Sequence, residues 1–366
     1  MRFSSFADPF RIYTLKEVLQ RISFPVTVDE NKLYYQIGIR SHSKGIFYKE
    51  AEIGKQIGNK RIFWIEPNCL ILNIVFAWEQ AVAKTSEKEV GMVASHRFPM
   101  YKVLNNSLDY IVDFFKTEKG KQLLQMASPG GAGRNKTLNQ DFFLNSKIYL
   151  PSLNEQLKTT ELIELIEDRI ETQIKIIDTL SSQKKQIRNL IFKDIHKNAN
   201  CCIQDYVIYE QPQKYIVHST DYLSYGKDYT PVLTANQSFI LGYTLEKDGI
   251  YEKGDCIIFD DFTNENKYVD FPFKVKSSAL KILQTKEGLM LKFFYEYLQF
   301  LNFESTDHKR HYLSEVAVTD ISVPNLKEQT FVCKIFTSFD NKLKNEEALL
   351  EKYRLQKQFF LNNLFI

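Results

Sequence analysis

The stretch LPSLNEQ at residues 150–156 returns as VPNLKEQ at 323–329, and the likeness continues downstream. Residues 148–192 and 321–365 align without a gap at an offset of 173 (321 minus 148). Matches include Pro151/Pro324, Leu153/Leu326, Glu155/Glu328, Gln156/Gln329, Gln183/Gln356, Lys184/Lys357, Asn189/Asn362 and Phe192/Phe365. A gapless match of this length marks an internal duplication, and a duplication sets the architecture before any other feature is read.

Each copy reads as one long helix. The proline stands just ahead of it, where a missing N–H costs little, and Ser152 or Asn325 is placed to cap the start. Apolar residues then follow a heptad: Ile163, Ile166, Ile170, Ile177, Leu180, Ile187 and Ile191. The second copy puts Phe336, Phe339, Leu343, Leu350, Tyr353, Phe360 and Leu364 at the equivalent places. Both interrupt the stripe at the same positions, Gln173/Glu346 and Lys184/Lys357. Polar residues in a seam lower stability but fix register. A helix from Leu153 to Phe192 runs roughly 60 Å at about 1.5 Å per residue, so it needs a partner of similar length. The other copy is that partner, giving an intramolecular coiled coil. The alternative, two amphipathic helices packed on separate domains, does not explain why the interruptions coincide.

The segments between the repeats are too long to be linkers. The chain of 366 residues, 44% hydrophobic and 25% charged, has room for two ordinary cores. The expected plan is a first domain over 1–147, a long helix over 148–199, a second domain over 200–320 and a second long helix over 321–366. Segment one mixes extended runs such as KRIFWIEPNCLILNIVFAW with a helical stretch, NSLDYIVDFFKTEKGKQLLQMA, and ends in SPGGAGRNKT. Segment two has short strand-like runs (KYIV, PVLTA, SFILGYT, DCIIFDDF, YVDFPFKV), then a helix at GLMLKFFYEYLQFLNF. Both read as α+β, and their sequences show no convincing similarity to each other.

Signatures of chemistry are mostly absent. GKQIGNK at 54–60 lacks phosphate-loop spacing, PGGAG at 129–133 does not open a βαβ unit, and the six histidines match no metal-ligand pattern. Neither a catalytic residue nor a metal ligand is therefore expected. Asp255, Asp260, Asp261, Glu265 and Lys267 can be drawn as a nuclease D…ExK set, but DDFTNENKY reads better as a polar hairpin turn. The five cysteines are scattered and odd in number, which suits reduced thiols in a cytoplasmic protein. No apolar run reaches membrane-spanning length, and the start has no signal-peptide shape, so no membrane partner is expected.

Net charge is only +3, so a nucleic-acid role must rest on local clusters. Segment one offers Arg40, His42 and Lys44, then Lys60-Arg61, His96-Arg97 and Arg134-Asn135-Lys136. Segment two offers Lys214, Tyr215, Tyr225, Lys227, Asn236, Gln237, Lys267 and the run His308-Lys309-Arg310. Arg and Lys reach phosphates or guanine, and Asn and Gln pair with adenine. Each alone reads equally well as a solvated side chain, and several tyrosines as core.

IYLPSLNEQ…LIEDRIETQIKIIDTLSSQKKQIRNLIF and its mate ISVPNLKEQ…FDNKLKNEEALLEKYRLQKQFFLNNLF resemble the helical repeats of type I restriction–modification specificity subunits. That resemblance implies two target-recognition domains alternating with two helices that pair antiparallel. It implies a bipartite, asymmetric double-stranded DNA target, one half read by each domain, with the helices setting the spacer. It also implies no catalytic centre and no cofactor in this chain. Its partners would be two DNA adenine methyltransferase (modification) subunits using S-adenosylmethionine, and restriction/translocase subunits using ATP and Mg. A stand-alone metal-dependent endonuclease or a structural coiled-coil adaptor are the alternatives.

Overall fold

The computed structural model describes residues 2–130, 136–226, 228–234, 239–303 and 311–365. The fold is α+β, and the two repeats are its two long helices, Leu153–His196 and Leu326–Leu364. The chain divides into two compact units: Met1–Ile174 with Leu349–Ile366, and Lys175–Ala348. Each unit therefore holds the first half of one long helix and the last half of the other. In the first unit, Ile163 shares a core with Leu361, Leu364 and Phe365. In the second, Phe192 shares a core with Val332, Cys333 and Phe336. Start against end in both units is antiparallel pairing. Among the described residues, no helix is long and apolar enough to cross a membrane.

The heptad positions lie along the paired face. Ile163, Ile166 and Leu180 are buried, and Ile170, Ile177, Ile187 and Ile191 half-buried. On the second helix Phe336, Leu350 and Leu364 are buried, and Phe339, Leu343, Tyr353 and Phe360 half-buried. Leu190 and Leu355, off the stripe, face water, 72% and 69% exposed.

The two globular parts share a topology that their sequences do not announce. Each begins with a strand, a one-turn helix and a second strand: Arg11–Thr14, Leu15–Val18 and Leu19–Ile22 in one, Cys201–Cys202, Ile203–Tyr206 and Val207–Glu210 in the other. The one-turn helix starts the same way in both, with an acid three residues on accepting the N-cap N–H: Thr14 N to Glu17 at 2.6 Å, Cys202 N to Asp205 at 2.8 Å. The opening strand pairs antiparallel with the strand just before the long helix, Lys147–Leu150 or Asp320–Ile321.

The second strand edges a four-stranded antiparallel sheet. Its spatial order is Leu19–Ile22, Met100–Val103, Leu70–Leu72, Val82–Lys84 in the first unit. In the second it is Val207–Glu210, Leu280–Thr285, Cys256–Asp260, Asn266–Val269, the same order of first, last, second, third. Each part also carries a late helix, Leu108–Lys116 or Leu291–Leu301. Beyond this frame the two diverge. The first adds two-stranded ribbons, and the second a three-stranded sheet of Ile240–Thr244, Thr230–Leu233 and Lys274–Val275.

Two segments differ from the sequence reading. The helical stretch at 106–127 is two helices, because Thr117 takes an extended conformation between them. Its hydroxyl donates to Phe114 O and accepts from Gly120 N, and a Cβ on Gly120 would meet Phe114 O at 2.2 Å. KYIV is not a strand: Pro212 opens a 3-10 turn over Pro212–Tyr215 that takes up its first half.

Candidate nucleic-acid interface

The repeat motif has a physical job in each unit. Gln156, buried, accepts at Oε1 from Ser107 N (2.9 Å), and its Nε2 donates to Pro151 O (3.0 Å) and Asn106 Oδ1 (2.7 Å). Gln329, fully buried, accepts from Met290 N (2.7 Å), and its Nε2 donates to Pro324 O (2.7 Å) and Gly288 O (2.8 Å). Ser107 and Met290 are the N-caps of the two late helices. One glutamine thus ties the start of each long helix to the domain that precedes it. The closing phenylalanines clamp the same helices: Phe365 lies 4.6 Å from the Tyr110 ring, and Phe192 lies 4.9 Å from Tyr297 and 5.2 Å from Phe293.

The lysines of the seam, Lys184 and Lys357, are each ion-paired to the other long helix. Lys357 meets Glu167 at 2.5 Å in the first unit, and Lys184 meets Asp340 at 2.5 Å in the second. Glu167 and Asp340 occupy equivalent positions (167 plus 173 is 340), as do Lys184 and Lys357. Each late helix adds a lysine to its junction, Lys116 to Glu167 (3.8 Å) and Lys292 to Asp340 (2.5 Å). Burial opposes ionisation of Glu167 and Asp340, but Lys116 and Lys357, or Lys184 and Lys292, outweigh it and hold both carboxyls below their usual range. The junctions differ in one respect. Asp113, beside Lys116, is pushed up by burial, whereas the buried Glu296 is ringed by Lys184, Arg188 and Lys292.

The first unit carries its sequence-predicted residues on turns. Arg40, His42 and Lys44 project from the hairpin of Ile37–Ile39 and Ile46–Tyr48, all three exposed. His42 and Ser43 have consecutive positive φ values of 59° and 55°, a costly conformation held from outside. His42 N donates to Glu79 O (2.6 Å) and Ser43 N to Gln80 O (3.0 Å). The Gln80 amide in turn donates to Phe115 O and Thr117 O, and Arg40 lies over the Phe47 ring. The hairpin tip is a convex basic turn fixed to the core.

Arg61 and His96 are brought side by side by the pairing of Ile62–Trp64 with Val93–Ser95, and His96 N donates to Arg61 O at 3.2 Å. Arg21, which the sequence did not single out, joins them at the mouth of one cleft. Arg97 follows on the same turn, its amide on Ser95 Oγ. Lys60 stands apart with Lys49, Glu50 and Glu52, and Lys136 lies over Trp78 at 4.8 Å. Arg134 and Asn135 lie outside the described residues.

In the second unit, Lys214 and Lys267 are exposed, and Tyr225 is 79% exposed with its ring against Tyr243. Tyr215 is a correction, because its ring is buried against Tyr251 and its hydroxyl is taken by Glu210 at 2.9 Å. It has no face left for a ligand. Lys227, Asn236, Gln237, His308, Lys309 and Arg310 lie outside the described residues.

The acidic set does not form a metal site. Asp260 accepts from Phe262 N and Thr263 N to close the hairpin turn, and Asp261 is buried against Lys281 at 3.2 Å. Asp255 accepts from the Tyr268 hydroxyl at the far end of the strand. His218, Glu246 and Asp248 do come together at the surface, but Lys274 lies 2.6 Å from Glu246 and already supplies a cation.

No family model matches the chain. The specificity subunit of the type I restriction enzymes EcoR124I and EcoR124II of Escherichia coli is 39% identical over 170 residues, which are 43% of this chain and 41% of that one. The match thus spans less than half of that relative. Among solved structures, the S subunit of a type I restriction–modification system from M. genitalium aligns over 100% of this chain and 99% of its own, at 14% identity and a TM-score of 0.60. A structure concerning complex assembly and conformational transition of the type I R-M system aligns over 98% of each chain at 12% identity, with a TM-score of 0.59. The HsdS subunit of Thermoanaerobacter tengcongensis aligns over 98% of this chain and 97% of its own at 12% identity, with a TM-score of 0.51. The chain is thus similar to specificity subunits of type I restriction–modification systems. This chain has that fold along its length and shares sequence with such a subunit over part of it.

Proposed function

We propose that the chain is the non-catalytic specificity subunit of a cytoplasmic type I restriction–modification enzyme, a sequence-specific reader of double-stranded DNA. Each domain reads one half of a bipartite target, and the paired helices set the spacer and dock two modification subunits. Those subunits supply methylation of adenine with S-adenosylmethionine, and restriction subunits supply ATP- and Mg-dependent translocation. The observation that carries this reading is a duplicated frame bearing two different outer surfaces. Both units share the glutamine tie, the capping acid, the sheet order and the lysine–carboxylate seam pair. The two domain segments show no convincing sequence similarity to each other, so the two half-sites differ and the target is asymmetric. In the first domain, the hairpin tip with Arg40, His42 and Lys44 is the convex element suited to enter a groove. The engaged acids of the second unit argue against a nuclease.

The test is co-expression with modification subunits in a methylation-free host, followed by genome-wide mapping of methyladenine. A split, asymmetric motif with a fixed gap is the expected result. A stable complex that adds no methylation would refute it.

A further inference from the structure

We propose that the cleft holding Arg21, Arg61 and His96 is a clamp for a DNA backbone phosphodiester, a site that fixes the first domain's register without reading a base. This rests on the DNA-binding reading above and says which part of the DNA these side chains meet.

The cleft has a volume of about 240 Å³. Arg21 comes from the strand Leu19–Ile22, with Ser23 just beyond it; Arg61 and Phe63 come from the facing ribbon, and His96 from the turn that closes it. Gln140, the first residue of a short helix, completes the wall. Its Oε1 is taken by the Tyr101 hydroxyl at 3.2 Å, so the group it retains is a donor. Arg21, Arg61 and His96 are exposed, and no carboxylate stands in the described lining. Among the described residues none of the three makes an ion pair. Arg2, Arg188 and Arg354, by contrast, each hold a glutamate. Another basic cleft of this unit differs in its lining, where Lys49 and Lys60 stand with Glu50 and Glu52.

Shape chooses between backbone and base. Base edges lie recessed in a groove and are read by elements that protrude into it, as the Arg40–Lys44 tip protrudes. Phosphates stand out from the duplex and are received by concave sites. Two guanidinium forks around a concavity match the geometry of phosphate oxygens. The rings of Phe63 and Phe98 along the wall lower the local dielectric and strengthen that attraction.

The experiment uses the full complex with modification subunits and a duplex carrying the methylated motif. Each phosphate contact contributes about 0.9 to the slope of log affinity against log salt. Between 50 and 200 mM salt that is about 3.5-fold per contact, or about 12-fold for two. Arg21→Gln/Arg61→Gln is expected to lose that much salt sensitivity while the methylated motif stays the same. Arg21→Lys/Arg61→Lys, which keeps the charge, is expected to retain most of it. Both arginines are exposed and unpaired, so an unchanged melting temperature checks folding. An unchanged slope in the glutamine variant overturns the clamp alone, and an altered motif overturns it in favour of base reading. A wild-type complex that binds no duplex would take the DNA-binding reading and the clamp down together.

Discussion

Replacing Gln329 by leucine should loosen one domain and leave the other intact. Gln329 is fully buried and makes three hydrogen bonds, to Met290 N, Gly288 O and Pro324 O. At about 1 kcal/mol net per bond, their loss amounts to about 3 kcal/mol. Leucine of similar size fills the space but leaves the Met290 N–H without its partner, which adds about 1 kcal/mol or more. For a unit of this size, a loss of about 4 kcal/mol lowers the melting temperature by roughly 8–16 °C. Met290 N is the N-cap amide of the helix Leu291–Leu301, so that helix should fray first. Hydrogen exchange read residue by residue is the assay. Faster exchange is expected at Met290 and the first turn of that helix, with no change at Ser107. Gln156→Leu should give the mirror result, with Ser107 accelerated and Met290 unchanged. If both variants melt within 1 °C of wild type and exchange as it does, the glutamine is not the tie described here.

Ile163 is fully buried whereas Ile174 is 38% exposed, so alanine should cost about 3 kcal/mol at the first and under about 0.5 at the second; equal shifts in denaturation midpoint would contradict the seam. Thr117→Ala removes the cap between two helices and should cost about 1 kcal/mol, and a thermal melt that does not move would show the break needs no cap. Asp340 is held below its usual carboxylate range by two lysines, so it favours the folded state while ionised. That stabilisation is present above the unfolded carboxylate pKa of about 3.9 and is lost as pH falls through the depressed value. Asp340→Asn should therefore be less stable than wild type at neutral pH, and the two melting curves should converge as pH drops below about 4. Curves that stay parallel over the whole range would count against the ion pair.

What the sequence disclosed follows from which interactions are local. Heptads are local, since a stripe that recurs every three and four residues can be read with no knowledge of what covers it. The glutamines were legible as a repeat but not as a tie, because the groups they bind stand 49 and 39 residues away. The common topology of the two domains was hidden for a similar reason. Strand order is decided by partners far along the chain, and one sheet is built around Leu70 and Tyr101 where the other uses Ile257 and Leu283. One signal was available. The acid three residues into each opening helix, Glu17 and Asp205, marks equivalent places in two segments that otherwise look unrelated. Arg21 escaped notice because it is a lone arginine on a strand, and only the pairing of neighbouring strands sets it beside Arg61 and His96.

The distribution of likeness and difference within one chain is itself an argument about function. Features present in both units all touch the long helices or the sheet packed near them: the glutamine tie, the clamping phenylalanine, the capping acid, the lysine–carboxylate pair. These are packing and hydrogen-bond requirements, and a substitution at the glutamine or the phenylalanine leaves a buried group unpaired or a cavity open. Among the described residues, the parts away from that frame differ. One unit presents a pinned basic hairpin tip and a cationic cleft, and the other a three-stranded sheet with an exposed Tyr225. Even the frame yields where it reaches solvent: Glu155 is sealed by Arg2 at 2.6 Å, whereas its mate Glu328 is exposed. The shared frame holds the junctions with the long helices, so exposed side chains on the outer turns can change at little cost in stability. On the reading proposed above, recognition of two unlike DNA half-sites by a chain that assembles with two copies of one partner would need that separation of duties.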